Sequence, residues 1–87
     1  MYTLKYTRKA EKDFVKLRQE NALLAKVHEL IRIVRVNPFQ NPPPYEKLIG
    51  DWSGAYSRRI NIQHRLVYTV DKNEKVVVFH SAWSHYE

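Results

Sequence analysis

Three successive prolines, Pro42, Pro43 and Pro44, lie near the middle of the chain, and Pro38 stands just before them. Proline has no amide hydrogen to donate and clashes with a preceding helical turn, so neither a helix nor a central strand can run through this point. Residues 37–44 therefore read as an ordered connector, and the halves on either side of it must follow different patterns.

The first half is patterned mainly for helices. Tyr2, Leu4 and Tyr6 alternate with Thr3 and Lys5, the period of a half-buried strand. Thr7 can then cap a helix from Arg8 to about Glu20, with Ala10, Phe14 and Leu17 on its apolar stripe and Lys9, Glu11, Lys12, Asp13, Lys16 and Arg18 off it. A second helix is expected from about Ala22 to Val36, with Leu24, Val27, Ile31 and Val34 on one face. Asn37 before Pro38 ends it, because the residue preceding a proline is pushed out of the helical region.

The second half is patterned for strands. Gly50, Asp51, Ser53 and Gly54 mark a turn region around Trp52, and three strands are expected at Tyr56–Ile62, Arg65–Val70 and Lys75–Ser81. The order β-α-α-β-β-β predicts an α+β domain over residues 1–87, a curved antiparallel sheet with a helical hairpin packed on one face and the other face open. Strand alternation sends Ile60, Ile62, Leu66, Tyr68 and Val70 toward the helices, and Arg59, Asn61, Arg65 and Thr69 the other way. Two arginines on neighbouring strands of one open face repel each other, an arrangement more easily tolerated with an anion between them.

Charge agrees with that picture. Fifteen basic residues against nine acidic ones give +6, the footprint of a polyanion binder. With no cysteine in the chain there is no disulfide framework and no thiolate site. The first residues break their apolar character with charges, so neither a signal peptide nor a membrane span is expected there, and a cytoplasmic location is. No cofactor or metal is expected, since the histidines lack helical i, i+4 spacing and no carboxylate loop signature occurs. Trp52, Tyr56, Trp83 and Tyr86 are candidates to stack on RNA bases.

The segments Tyr56-Ser57-Arg58-Arg59-Ile60, His64-Arg65-Leu66-Val67-Tyr68 and Ser84-His85-Tyr86, with Asn37-Pro38-Phe39 and Glu46 before Leu48, resemble the Txe/YoeB branch of the RelE-like toxins over nearly the whole chain. That resemblance implies a toxin paired with an antitoxin of YefM/Phd-like type, which enters the ribosomal A site and cleaves messenger RNA. It implies Glu46 as general base, Arg65 as the phosphate-stabilising arginine and His85 as general acid, with Arg59 and Tyr86 also in the active site. Arg58 joins them as a substrate-binding candidate through its place in the arginine cluster. The family often carries a lysine where this chain has Ile49 and often ends at the tyrosine, whereas this chain adds Glu87; Lys47 is the candidate to supply the missing charge. Relatives form homodimers, although no interface signature is visible here.

The residue types suit the chemistry. RNA supplies its own nucleophile, the 2′-hydroxyl, so the catalyst must remove a proton, stabilise charge on phosphorus and protonate the leaving 5′-oxygen. A carboxylate, a guanidinium and an imidazolium can fill these roles. Of the remaining histidines, His28 and His80 read as structural, and His64 as a neighbour able to orient Arg65. The alternatives are a non-catalytic nucleic-acid-binding regulator of the same fold and a subunit active only within a complex.

Overall fold

The computed structural model describes residues 1–83. The elements are β1 (Thr3–Tyr6), α1 (Arg8–Leu17), α2 (Asn21–Val36), β2 (Glu46–Lys47), a 3-10 turn (Gly50–Trp52), β3 (Ala55–Arg59), β4 (Arg65–Asp71) and β5 (Val76–Ser81). They form a five-stranded sheet of order β1-β5-β4-β3-β2. The expected helical hairpin and strand-rich second half are present, with two refinements. β2 through β5 pair antiparallel, but β1 joins the far edge parallel to β5, with Thr3 opposite Val76 and Tyr6 opposite Phe79. The sheet is therefore mixed. The second refinement is β2 itself, whose Glu46 and Lys47 pair with Ser57 and Tyr56.

Thr7 caps α1: its hydroxyl accepts from the Ala10 amide at 3.1 Å and donates to the His80 carbonyl at 3.2 Å, which ties the helix start to β5. α1 stops at Leu17 because the amides of Gln19 and Glu20 turn back to the carbonyls of Lys16 and Leu17, closing a tight joint before α2. Ala10, Leu17, Val27, Leu30 and Val34 from the helices meet Ile60, Leu66, Tyr68, Val77 and Phe79 from the sheet side in one core. Among the described residues no helix is long and apolar enough to cross a membrane.

The β3–β4 connection corrects one expectation. Asn61 Oδ1 accepts from the amides of Gln63 and His64 at 2.8 and 2.6 Å, a local side-chain turn that competes with the strand ladder. β3 consequently ends at Arg59, and Ile62, expected to face the helices, stands at the loop tip 93% exposed. The sheet face away from the helices is also less open than expected: Ser57, Val67 and Ser81, partners across β3, β4 and β5, form a buried row over it.

Asp13, assigned to the polar side of α1, is buried. Its Oδ2 accepts from the backbone amides of Ala82 and Trp83 at 2.9 and 3.2 Å and from Lys9 Nζ at 2.8 Å. The carboxylate thus ties α1 to the chain just after β5. Asp13→Ala leaves both amides without their acceptor, and we expect a loss of about 2–4 kcal/mol in urea unfolding, with Asp13→Asn losing less because an oxygen acceptor remains. A change below about 0.5 kcal/mol would show that water replaces the carboxylate without penalty.

Candidate active site

Antiparallel pairing of β2 and β3 places Glu46 opposite Ser57, and pairing of β3 and β4 places Arg59 opposite Arg65. By strand alternation Glu46, Ser57, Arg59 and Arg65 all project from the face away from the helices. They line a cleft of about 130 Å³ together with Pro44 and Tyr45, room for a phosphate group. A wider groove of about 460 Å³ adjoins it over Pro44 and Arg59 and runs past Asn61 and Ile62 to Lys26.

Arg65 donates from Nη1 to Glu46 Oε1 at 3.0 Å. The carboxylate side chain is 66% exposed and the arginine 27%, so this ion pair adds at most about 1 kcal/mol to stability. An incoming phosphate can therefore displace the carboxylate from Arg65 at little cost. Among the described residues Arg59 forms no ion pair, and its charge stands directly across the ladder from that of Arg65. Like charges on opposed positions destabilise a sheet, and an anion between them removes the penalty.

Three of the seven residues expected in the site are brought together here: Glu46, Arg59 and Arg65. Arg58 is elsewhere. One position along β3, its side chain leaves the other face and is only 1% exposed. Its Nη1 donates to the Pro43 carbonyl at 2.6 Å, its Nη2 to the carbonyls of Pro38 and Gln40 at 3.0 and 2.9 Å, and its Nε to the Tyr68 hydroxyl at 3.0 Å. That hydroxyl in turn donates to the Pro38 carbonyl at 2.8 Å. Burial pushes the Tyr68 phenol above its ordinary range, with the Arg58 charge opposing the shift. Arg58 is thus the clamp of the proline connector rather than a substrate contact, because each guanidinium nitrogen is already engaged inside the protein.

Lys47 does not fill the place expected of it. Paired with Tyr56, it alternates to the face opposite Glu46 and borders a different groove, with Ile49, Gly54 and Tyr56. His85 and Tyr86 lie outside the described residues. Phe39, Tyr45 and Tyr56 pack edge to face beside Arg58, whose guanidinium carbon lies 5.1 Å from the Tyr45 ring centre. The connector clamped by Arg58 thereby delivers Tyr45 and Glu46 to the rim of the cleft.

The other histidines do not line the cleft. His28 is exposed on α2. His80 Nε2 lies 3.0 Å from Thr69 Oγ1, and burial lowers its pKa, which favours the neutral ring. His64, expected beside Arg65 as its orienting partner, is buried instead and stacks on Trp83 at 4.3 Å between ring centres. Of the candidate base-stacking aromatics, Trp83 is committed to that stack and Tyr56 to the aromatic cluster, while Trp52 is 42% exposed. Ser57 was not singled out by sequence reasoning, although strand alternation puts it on the same face as Arg59.

A helical hairpin packed against a five-stranded sheet is also the fold of small bacterial toxins. A YoeB/ParE toxin from Agrobacterium tumefaciens superposes with a TM-score of 0.89 at 29% identity, covering 97% of this chain and 99% of that one. Toxin in the heterotetrameric YoeB–YefM complex of Staphylococcus aureus matches with a TM-score of 0.82 at 33% identity over 99% of both chains. The Toxin YoeB of a Synechocystis strain is 35% identical over 78% of this chain and 77% of its own length. Residues 6–86 match the model of the YoeB-like toxin of bacterial type II toxin-antitoxin systems. The chain belongs to that family.

Proposed function

We propose that this toxin is an endoribonuclease that enters the ribosomal A site and cleaves messenger RNA by acid–base catalysis. Convergence of Glu46, Arg59 and Arg65 on one cleft is the observation that carries this reading. Glu46 takes the proton of the ribose 2′-hydroxyl, the 2′-oxygen attacks phosphorus, and Arg65 and Arg59 neutralise the charge that grows on the non-bridging oxygens. As the bond to the 5′-oxygen breaks, His85 supplies the proton to that leaving oxygen, with Tyr86 contacting substrate. The products are a 2′,3′-cyclic phosphate and a 5′-hydroxyl end.

In the free protein Glu46 is held by Arg65, and substrate binding frees it to meet the 2′-hydroxyl: the phosphate competes for the same guanidinium. A pure phosphate-binding protein has use for the arginines but none for a carboxylate at the same cleft, since a fixed negative charge repels the ligand. This favours catalysis over a non-catalytic regulator of the same fold. The partner proposed by likeness to the YoeB–YefM complex is an antitoxin of YefM/Phd-like type, whose acidic segment covers the cationic cleft. A homodimer, as in the S. aureus YoeB dimer, and residence in the cytoplasm complete the proposal.

Induction of the chain alone in bacteria, followed by primer extension on a translated message, tests the reading. Growth arrest with new 5′ ends that disappear when translation is blocked, both reversed by the co-expressed neighbouring small acidic protein, is the expected result. Arrest without cleavage, or unaffected growth, would return the fold to the regulator.

A further inference from the structure

Ser57 presents an unusual combination. It is 1% exposed, its hydroxyl has no hydrogen-bond partner among the described residues, and it lines the same cleft as Glu46, Arg59 and Arg65. Leaving a buried hydroxyl unpaired costs free energy, and native folds seldom do so without a use for the group. A hydroxyl donor at the floor of a cleft that handles anions points to a role in the bound state.

Two partners could take that bond, a phosphate oxygen or the Glu46 carboxylate. Solvent does not reach the Ser57 hydroxyl, so a phosphate arriving from solution meets the exposed Arg59 and the half-buried Arg65 first. Glu46 needs no path from solution. It is the direct cross-strand partner of Ser57, and opposed side chains on one face stand about 5 Å apart at Cβ, within reach of a carboxylate on a two-methylene stem. In the free protein that carboxylate is held by Arg65. When phosphate takes Arg65, the carboxylate loses its partner at the moment it has to be ionised and aimed.

We propose that Ser57 is a positioning residue for Glu46: once Arg65 turns to the substrate phosphate, the Ser57 hydroxyl donates to the carboxylate and holds it toward the 2′-hydroxyl. One Oε accepts from Ser57 and the other stays free to take the proton, so the donor orients the base without blocking it. The proposal rests on the ribonuclease reading, with Glu46 as base.

Single-turnover cleavage on programmed ribosomes, paired with binding of the same message carrying a 2′-deoxy nucleotide at the cleavage site, separates the possibilities. Ser57→Ala is expected to slow cleavage by about tenfold or more, with affinity for the deoxy analogue unchanged. Ser57→Thr, which keeps the hydroxyl, is expected to recover most of the rate. A wild-type rate in Ser57→Ala overturns the proposal. So does a loss of analogue affinity, which would make Ser57 a phosphate contact, and so does a slow Ser57→Ala that is matched by Ser57→Thr when both unfold at the wild-type midpoint. Should Ser57→Ala fail to fold, Ser57→Thr against Ser57→Val decides, since these two differ in the hydroxyl at nearly equal volume: equal rates overturn the proposal. Glu46→Gln is measured alongside, and a wild-type rate in that variant would mean the base assignment had failed, whatever Ser57 does.

Discussion

Arg65→Ala is expected to lower single-turnover cleavage by about 10²–10³-fold, the usual loss when one preorganised donor to a developing oxyanion is removed. The fold should hardly notice. Arg65 bonds to the two-thirds exposed carboxylate of Glu46, so the thermal midpoint should stay within about 8 °C of wild type, the largest shift expected for less than about 1 kcal/mol in a domain of this size. Arg65→Lys retains the charge but not the planar fork that matches two phosphate oxygens, and it should recover only part of the rate. Wild-type cleavage in Arg65→Ala would remove the residue from the chemistry and leave Arg59 to carry the phosphate alone.

Arg58→Ala should behave in the opposite way, through stability rather than through chemistry. It strips the carbonyls of Pro38, Gln40 and Pro43 and the Tyr68 hydroxyl of their shared donor in a site that water scarcely enters. Each buried acceptor left without its donor costs about 1–3 kcal/mol, and several are lost at once, together a large part of the total stability of roughly 4–13 kcal/mol expected for a chain of this length. Urea unfolding should show the loss directly, and cleavage measured well below the lowered midpoint should be reduced only as far as the connector lets Glu46 drift. A midpoint close to wild type would mean that the proline connector holds its shape without Arg58.

The contrast between these adjacent-looking arginines marks how far the sequence could be read. Parity was legible for Arg59 on β3 and for Arg65 and Tyr68 on β4, because an alternating strand assigns faces residue by residue. Arg58 had the same parity signal, pointing inward, but its charge argued for the surface and clustering with Arg59 drew it into the site. What overrode that expectation is the proline connector: its carbonyls cannot be paired by its own prolines, so they need a donor from elsewhere, and a guanidinium supplies several at once. Asp13 was misplaced for the same reason, a charge read as solvent-facing that instead satisfies two backbone amides beside β5. The two-residue β2 is too short to carry a period, and parallel pairing of β1 with β5 leaves no mark on either strand taken alone. Thr7 as cap, the two helices and the meeting of Arg59 with Arg65 were within reach because each depends on neighbours in sequence or on one strand register. His85, assigned through resemblance, falls outside the described residues.

Pairing of β1 with β5 has a temporal meaning. Thr3 finds its partner only at Val76, and α1 is tied through Asp13 to Ala82, so segments made early wait for segments made roughly seventy residues later. Contacts of such long sequence separation are slow to close and leave the early segments unsatisfied meanwhile. Until β5 has been made and has emerged from the ribosome, the edge formed by β1 has nothing to join. Nascent fragments that stop short of β5 therefore lack the strand that completes the sheet. For a protein proposed to attack translating ribosomes, such fragments carry the arginines without a finished fold to aim them.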